Sequence, residues 1–151
     1  MQKLFQTLIH ALSETLGAPL EIAEGTRVNC NFDQFPVLIQ YLPDAEQLLL
    51  AAPVAEVPSE NREALYRELL HGQYLFRLTG GGALSLDENA RFVCLQAAKD
   101  IRSLTPENFV VFMENFLHIA EYWHKRCLES GPSASAAAPT GVENNASMLR
   151  V

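Results

Sequence analysis

The apolar residues of this chain switch period early, from helical spacing to strict alternation, and that switch limits the possible folds more than any other feature. Leu4, Phe5, Leu8, Ile9, Leu12 and Leu16 recur at steps of three and four, the mark of an amphipathic helix over residues 2–16, and Gly17 with Pro19 is a stop signal. Val28, Cys30 and Phe32 then alternate with Asn29 and Asn31, as in a half-buried strand. Asp33-Gln34-Phe35-Pro36 turns the chain into a second strand over 37–42, and Pro43-Asp44-Ala45-Glu46 turns it into a third over 47–52. Links this short join antiparallel neighbours. No all-helical fold accommodates such a meander.

Helical signals return at Pro58-Ser59, with Ser59 expected as N-cap and Glu60 in the first turn. Ala64, Leu65, Leu69 and Leu70 supply this helix's apolar positions, and it fades at Gly72. Tyr74-Leu75-Phe76 and the triplet Gly80-Gly81-Gly82 lead to a fourth strand over 83–86; a turn at 87–89 precedes a fifth over 92–97. In the last helix Thr105 caps, Pro106 takes the first position and Glu107 suits the positive dipole end. Its stripe is Phe109, Phe112, Met113, Phe116, Ala120, Trp123 and Cys127. The expected class is α+β in the order α-β-β-β-α-β-β-α, with an antiparallel five-stranded sheet and three helices. Residues 1–129 are expected to form one domain. Residues 130–151 are dominated by Gly, Pro, Ser, Ala, Thr and Asn, cannot offset their ordering entropy by burial, and are expected to be a disordered tail.

Charge bears on partners. Eighteen acids oppose 11 bases for a net charge of −7. A nucleic-acid binder needs clustered cations to displace phosphate counterions; the longest basic run is Lys125-Arg126. No apolar stretch reaches the roughly 20 residues that span a bilayer. Gln6, His10 and Glu14 interrupt the first helix, which therefore lacks a signal peptide's apolar centre, and the cytoplasm is the default location. Cys30, Cys94 and Cys127 are widely spaced and read as small buried apolar side chains.

The search for chemistry yields no catalytic set, no cofactor and no metal site. The glycine triplet lacks the lysine of a phosphate-binding loop and leads into a strand, so it reads as a flexible turn or as backbone packed where a Cβ would clash. His118 and His124 stand six apart, about 120° from coincidence around a helix, whereas zinc-binding pairs sit at i and i+4. Glu114, His118 and Glu121 read instead as neighbours on a solvated face. Neither His71 nor His10 has an evident serine or cysteine nucleophile nearby in sequence. What remains is an apolar surplus of residues that fall partly off the main stripes, Phe5, Phe35, Phe76, Val110, Leu117, Ile119 and Tyr122. A self-complementary dimer patch or a peptide groove would absorb it.

Several segments, taken in order, resemble the small acidic chaperones of bacterial type III secretion, the Tir-chaperone family. They are the strand-to-proline segment Leu48-Leu49-Leu50-Ala51-Ala52-Pro53-Val54, Leu69-Leu70 before Tyr74-Leu75-Phe76, Gly80 through Asp87, and Phe116, Ala120-Glu121 and Trp123 in the closing helix. The resemblance covers roughly residues 2–128. Two departures concern loops: His71-Gly72-Gln73 intervene after the second helix where the family has an Asn-Leu-Phe-type sequence, and Lys99-Asp100-Ile101 replaces a Leu-Pro-Leu-like stretch. The resemblance implies a bacterial, cytoplasmic homodimer without enzymatic activity or cofactor, which binds the extended N-terminal segment of a secreted effector and keeps it secretion-competent. An alternative on the same fold is a partner-switching regulator that sequesters a regulator of secretion genes. On this reading the effector-binding candidates are Leu4, Phe5, Leu8 and Leu12 on the first helix with Val28, Cys30, Phe32 and Ile39 on the strands. The dimer candidates are Leu65, Tyr66, Leu69, Phe76 and Leu84. Each of these residues also suits the core of a monomer, and on the first helix the core is the favoured placement.

Overall fold

The apolar rows of the first helix need a surface to bury against, and the meander supplies it. In the computed structural model, which describes residues 1–129, helix α1 (Gln2–Leu16) buries Phe5, Leu8, Ile9 and Leu12. Strands β1 (Arg27–Phe32), β2 (Phe35–Leu42) and β3 (Gln47–Glu56) follow, then α2 (Arg62–Gln73) and a 3-10 turn at Tyr74–Phe76. Strands β4 (Ala83–Leu86) and β5 (Phe92–Asp100), a 3-10 turn at Ile101–Ser103 and the long helix α3 (Pro106–Glu129) complete the fold. The expected tail lies outside the described residues.

The five strands form one antiparallel sheet in the order β1-β2-β3-β5-β4. Val28, Val37, Ile39, Tyr41, Leu48, Leu50, Ala52 and Leu95 alternate onto one face and join α1 and α3 in a single core. The Phe5 ring stacks on Tyr41 at 5.9 Å, and α3 contributes the whole predicted stripe, with Trp123 its largest fully buried side chain. At the start of α3 the Asn108 N–H donates to Thr105 Oγ1 at 3.3 Å while the Thr105 N–H donates to Asn108 Oδ1 at 2.8 Å. That reciprocal pair satisfies two donors that a helix start leaves open.

Element bounds differ from expectation where proline or local hydrogen bonding intervenes. Strand β2 begins at Phe35 rather than 37, and β3 runs through Pro53 to Glu56. The β2–β3 register places Leu38 opposite Ala51, so Pro36 comes opposite Pro53. Neither has an N–H to give, and the ladder between these strands stops there. Beyond this point β3 carries a register shift against β5 between Pro53 and Ala55, and the Val54 carbonyl turns to His124 Nδ1 at 2.6 Å. Helix α2 begins at Arg62, so Ser59 is not its cap; Asn61, at φ 56°, is. Asparagine tolerates that left-handed conformation, and the helix starts two residues late.

The region between α2 and β4 is held by close approach. A Cβ on Gly72 would enter the Trp123 indole, and one on Gly80 would meet the Ile119 side chain. On Gly82 it would lie 2.6 Å from the Gln96 carbonyl oxygen. Of the two expected readings of the glycine triplet, backbone packed too tightly for a side chain fits Gly80 and Gly82. The Trp123 Nε1–H then donates to the Leu78 carbonyl at 2.9 Å, pinning the segment to α3.

Candidate functional site

An open sheet has two edges, here β1 and β4. Along an antiparallel edge strand every second residue turns its N–H and C=O outward. The Tyr41 N–H donates to the Thr26 carbonyl at 2.8 Å, which sets the phase of β1. Val28, Cys30 and Phe32 bond to β2, and Arg27, Asn29 and Asn31 face outward. Arg27 is already engaged: its N–H donates to Ala23 O at 3.0 Å and its carbonyl accepts from Ala23 N–H at 2.7 Å. The open backbone is therefore at Asn29 and Asn31, both with exposed side chains.

The other edge has a different fate. The Asp87 N–H donates to Phe92 O at 3.0 Å, so Ala83 and Ser85 bond to β5 while Gly82, Leu84 and Leu86 face outward. Gln73, the last residue of α2, lies against them. Its Oε1 accepts from the Leu84 N–H at 2.7 Å and its Nε2–H donates to Gly82 O at 3.2 Å.

The flank of β1 is apolar. Cys30 and Phe32 are half-buried against the core, as are Leu4 of α1 and Leu20 and Ile22 of the link that follows it. The Cys30 thiol donates to the Val37 carbonyl at 3.6 Å, and burial pushes its pKa up to about 11, so it behaves as an apolar group. Past Phe32 lies a cleft between the β1–β2 turn and α3, with Phe35 and Leu117 beneath Asp33, Glu114, His118 and Glu121. Lys125, donating to Glu121 at 2.8 Å, holds that carboxyl below its ordinary value.

A second surface follows α2. Leu70 is 73% exposed, and Tyr74, Leu75, Phe76 and Leu78 extend the exposed apolar strip beyond the helix. Leu75 and Phe76 both sit at φ 55°, unfavourable for non-glycine residues. A groove of about 1010 Å³ runs beside it, lined by Ala64, Leu70 and Tyr74 and by charged groups of both signs, Glu63, Arg67 and Glu68.

Of the residues expected at the binding surface, Leu4 on α1 and Cys30 and Phe32 on β1 are half-buried, whereas Phe5, Leu8, Leu12, Val28 and Ile39 are fully inside the core. Of those expected at a dimer contact, Leu65 and Leu69 are buried within the protomer, Tyr66 and Leu84 are half-buried and Phe76 is exposed. The sequence reading passed over Asn29 and Asn31, whose outward backbone depends on strand order, and over Gln73 and Leu70. Among the described residues no helix is long and apolar enough to cross a membrane, and no group of three or more His, Cys, Asp or Glu could hold a metal ion.

Comparison with known proteins follows this geometry. The model of the Tir chaperone protein (CesT) family matches residues 7–124. A Chlamydia pneumoniae protein is 31% identical over 101 residues, 67% of this chain and 76% of that protein. Among solved structures, a chain of the ExsC–ExsE complex superposes with a TM-score of 0.71 at 27% identity, covering 83% of this chain and 94% of its own. A chain of the HopA1–SchA chaperone–effector complex gives a TM-score of 0.69 at 21% identity, covering 82% and 95%. A chain of the complex between the Yersinia pestis type III secretion chaperone SycH and a stable fragment of YscM2 gives 0.60 at 15%, covering 77% and 96%. The last two likenesses concern the fold alone.

Proposed function

The chain belongs to the Tir chaperone protein (CesT) family, and on that premise we propose that it is a type III secretion chaperone that captures the N-terminal segment of a secreted effector in extended form. The observation that carries this reading is the open backbone of Asn29 and Asn31, interleaved along β1 with the half-buried Cys30 and Phe32. An unfolded segment laid there gains main-chain hydrogen bonds from the edge and buries alternate side chains against the flank. Its ordering entropy opposes binding, so a long contact is needed. Leu4, Cys30 and Phe32 meet the segment directly, while Phe5, Leu8, Leu12, Val28 and Ile39 support them from the core. The task is capture, with no bond made or broken, and no cofactor enters it. The working location is the bacterial cytoplasm, where the effector is held before export.

Self-association belongs to the same proposal. Leu70, Tyr74, Leu75, Phe76 and Leu78 are apolar and exposed, and the groove lined by Leu70 and Tyr74 carries both signs of charge. Such a surface is able to complement itself across a two-fold axis. Phe76, Tyr66 and Leu84 then form the contact, with Leu65 and Leu69 as its buried base.

The test is co-purification from the native host followed by mass spectrometry, in wild type and in Asn29→Pro. Proline removes an outward N–H and leaves the β1–β2 ladder intact. The expected result is a secreted effector recovered through its N-terminal segment, and its loss in the variant. A transcriptional regulator in its place would instead support the regulatory role. Equal recovery in wild type and variant would refute binding at β1.

A further inference from the structure

The join between β2 and β3 leaves backbone acceptors without donors. Val37 and Ile39 bond to β1, so Pro36 and Leu38 turn their backbone to β3, where the register sets Pro36 opposite Pro53. Each proline keeps a carbonyl and lacks an N–H, so neither carbonyl receives the ladder bond its position calls for. A cavity of about 270 Å³ opens at this place, lined by Pro36, Pro53, Phe35, Phe92, Glu56 and His124 among others. We infer that it is a lysine-binding site, which takes the primary ammonium of a lysine side chain carried by a polypeptide partner. Asn29 and Asn31 do not line it, so its occupancy is separable from binding at β1.

The polar groups around the cavity mostly accept. His124 Nδ1 lies 2.6 Å from the Val54 carbonyl. A carbonyl only accepts, so the ring carries its proton on Nδ1, and Nε2 of the neutral imidazole is left as an acceptor. Glu56 adds an exposed carboxylate. The Gln34 amide, exposed at the turn, both donates and accepts. Among the described residues no lysine or arginine lines the cavity; Arg91 sits over the Phe92 ring, 5.8 Å from its centre, and is not part of the lining. An ammonium donates and never accepts, which complements two carbonyls and a carboxylate. The volume falls short of a drug-sized ligand and suits one side chain, whose methylene stem packs along Phe35 and Phe92. A net charge of −7 favours a cation over an anion at any such site.

The test is an NMR titration of the full-length protein at low ionic strength with a capped lysine residue, N-acetyl-lysine N-methylamide. Saturable shifts are expected at the amides of Phe35, Val54, Ala55 and Glu56, with a Kd on the order of millimolar, the scale for a single side chain. The Nε-trimethylated probe keeps the charge but has no N–H to donate, and the capped norleucine probe keeps the stem without the charge. Both should bind at least about tenfold more weakly, the effect of losing charge-assisted hydrogen bonds. Pro53→Val gives position 53 an N–H for the Pro36 carbonyl and closes the gap in the ladder. The new amide should be protected from exchange, and binding of the lysine probe should fall by about tenfold. Equal binding of the lysine and trimethyllysine probes overturns the inference, as do shifts that never saturate or that leave these four amides unmoved. An unprotected amide at position 53 overturns it too, because the Pro36 carbonyl would then face elsewhere. So does undiminished binding once that amide is protected. Should Pro53→Val not fold, the exposed change Glu56→Gln decides: weaker lysine binding with an unchanged melting temperature supports the site, and equal binding overturns it.

Discussion

Gly72 and Trp123 form the tightest joint in the molecule. The indole occupies the space where any other residue at 72 would place its Cβ, and its Nε1–H is spent on Leu78 O. Gly72→Ala is expected to destabilise the fold by about 1–3 kcal/mol, the range for overpacking a filled site, measurable as a lower denaturation midpoint with unchanged m-value. Equal midpoints would mean that α2 is free to shift. The cysteines make a second prediction at this scale. Burial pushes Cys30 and Cys127 up to about 11, two units above the ordinary thiol at 9.0. At pH 8 their thiolate fraction, and with it their alkylation by iodoacetamide, should be about a hundredfold below that of a free thiol and should rise toward pH 11. The stability side has a definite sign: a thiol whose folded pKa is raised deprotonates first in the unfolded chain, so its contribution is complete below pH 9 and is lost as pH rises toward 11.

At the scale of elements, the alternating and helical patterns in the sequence foretold the three α-helices and five strands, most of which bury one face and space their apolar residues accordingly. The ends of elements were less legible. Strand β3 continues through Pro53 because Pro36 faces it and the missing donor deprives no partner, a fact that exists only once the two strands are aligned. The start of α2 rests on Asn61 at φ 56°, a backbone choice that no apolar period records. Site residues were harder still. Apolar periodicity marks Val28 and Phe5 as strongly as a surface residue such as Phe32, and only the stacking of α1 on the sheet separates them. On the proposed binding mode Asn29 and Asn31 act through their backbone, which carries no side-chain signature at all. Asn29→Pro should therefore weaken partner binding at least about tenfold, the effect of losing one well-placed hydrogen bond, with the melting temperature nearly unchanged, as read by calorimetric titration and thermal scans.

The whole molecule is a protomer with apolar surface left over. Leu70→Glu combined with Phe76→Glu should leave the fold intact, because both side chains stand in solvent within the protomer, yet shift a dimer to monomer in light scattering at micromolar concentration. A wild type that is monomeric under the same conditions would remove the self-association proposal. We also propose that residues 1–129 constitute the working domain and that residues 130–151 are an appendage. Deletion of the appendage should change stability by less than about 1 kcal/mol, small against a total of about 5–15 kcal/mol, and a larger loss in denaturant titration would show that it packs.

The facing prolines carry a mechanical consequence. Where Pro36 meets Pro53 the sheet has a seam without main-chain bonds, and the tip of the β1–β2 hairpin beyond it is joined to the rest through side chains, Phe35 against His124 among them. Adding a strand to β1 alters the twist of that hairpin, since neighbouring strands rotate relative to one another by about 20–25°. A continuous ladder would pass this torque to β3 and β5 and so to the core. On the proposed binding mode, the seam leaves the receiving end of the sheet more compliant than the core, so the grip can adjust without reshaping the body that holds it.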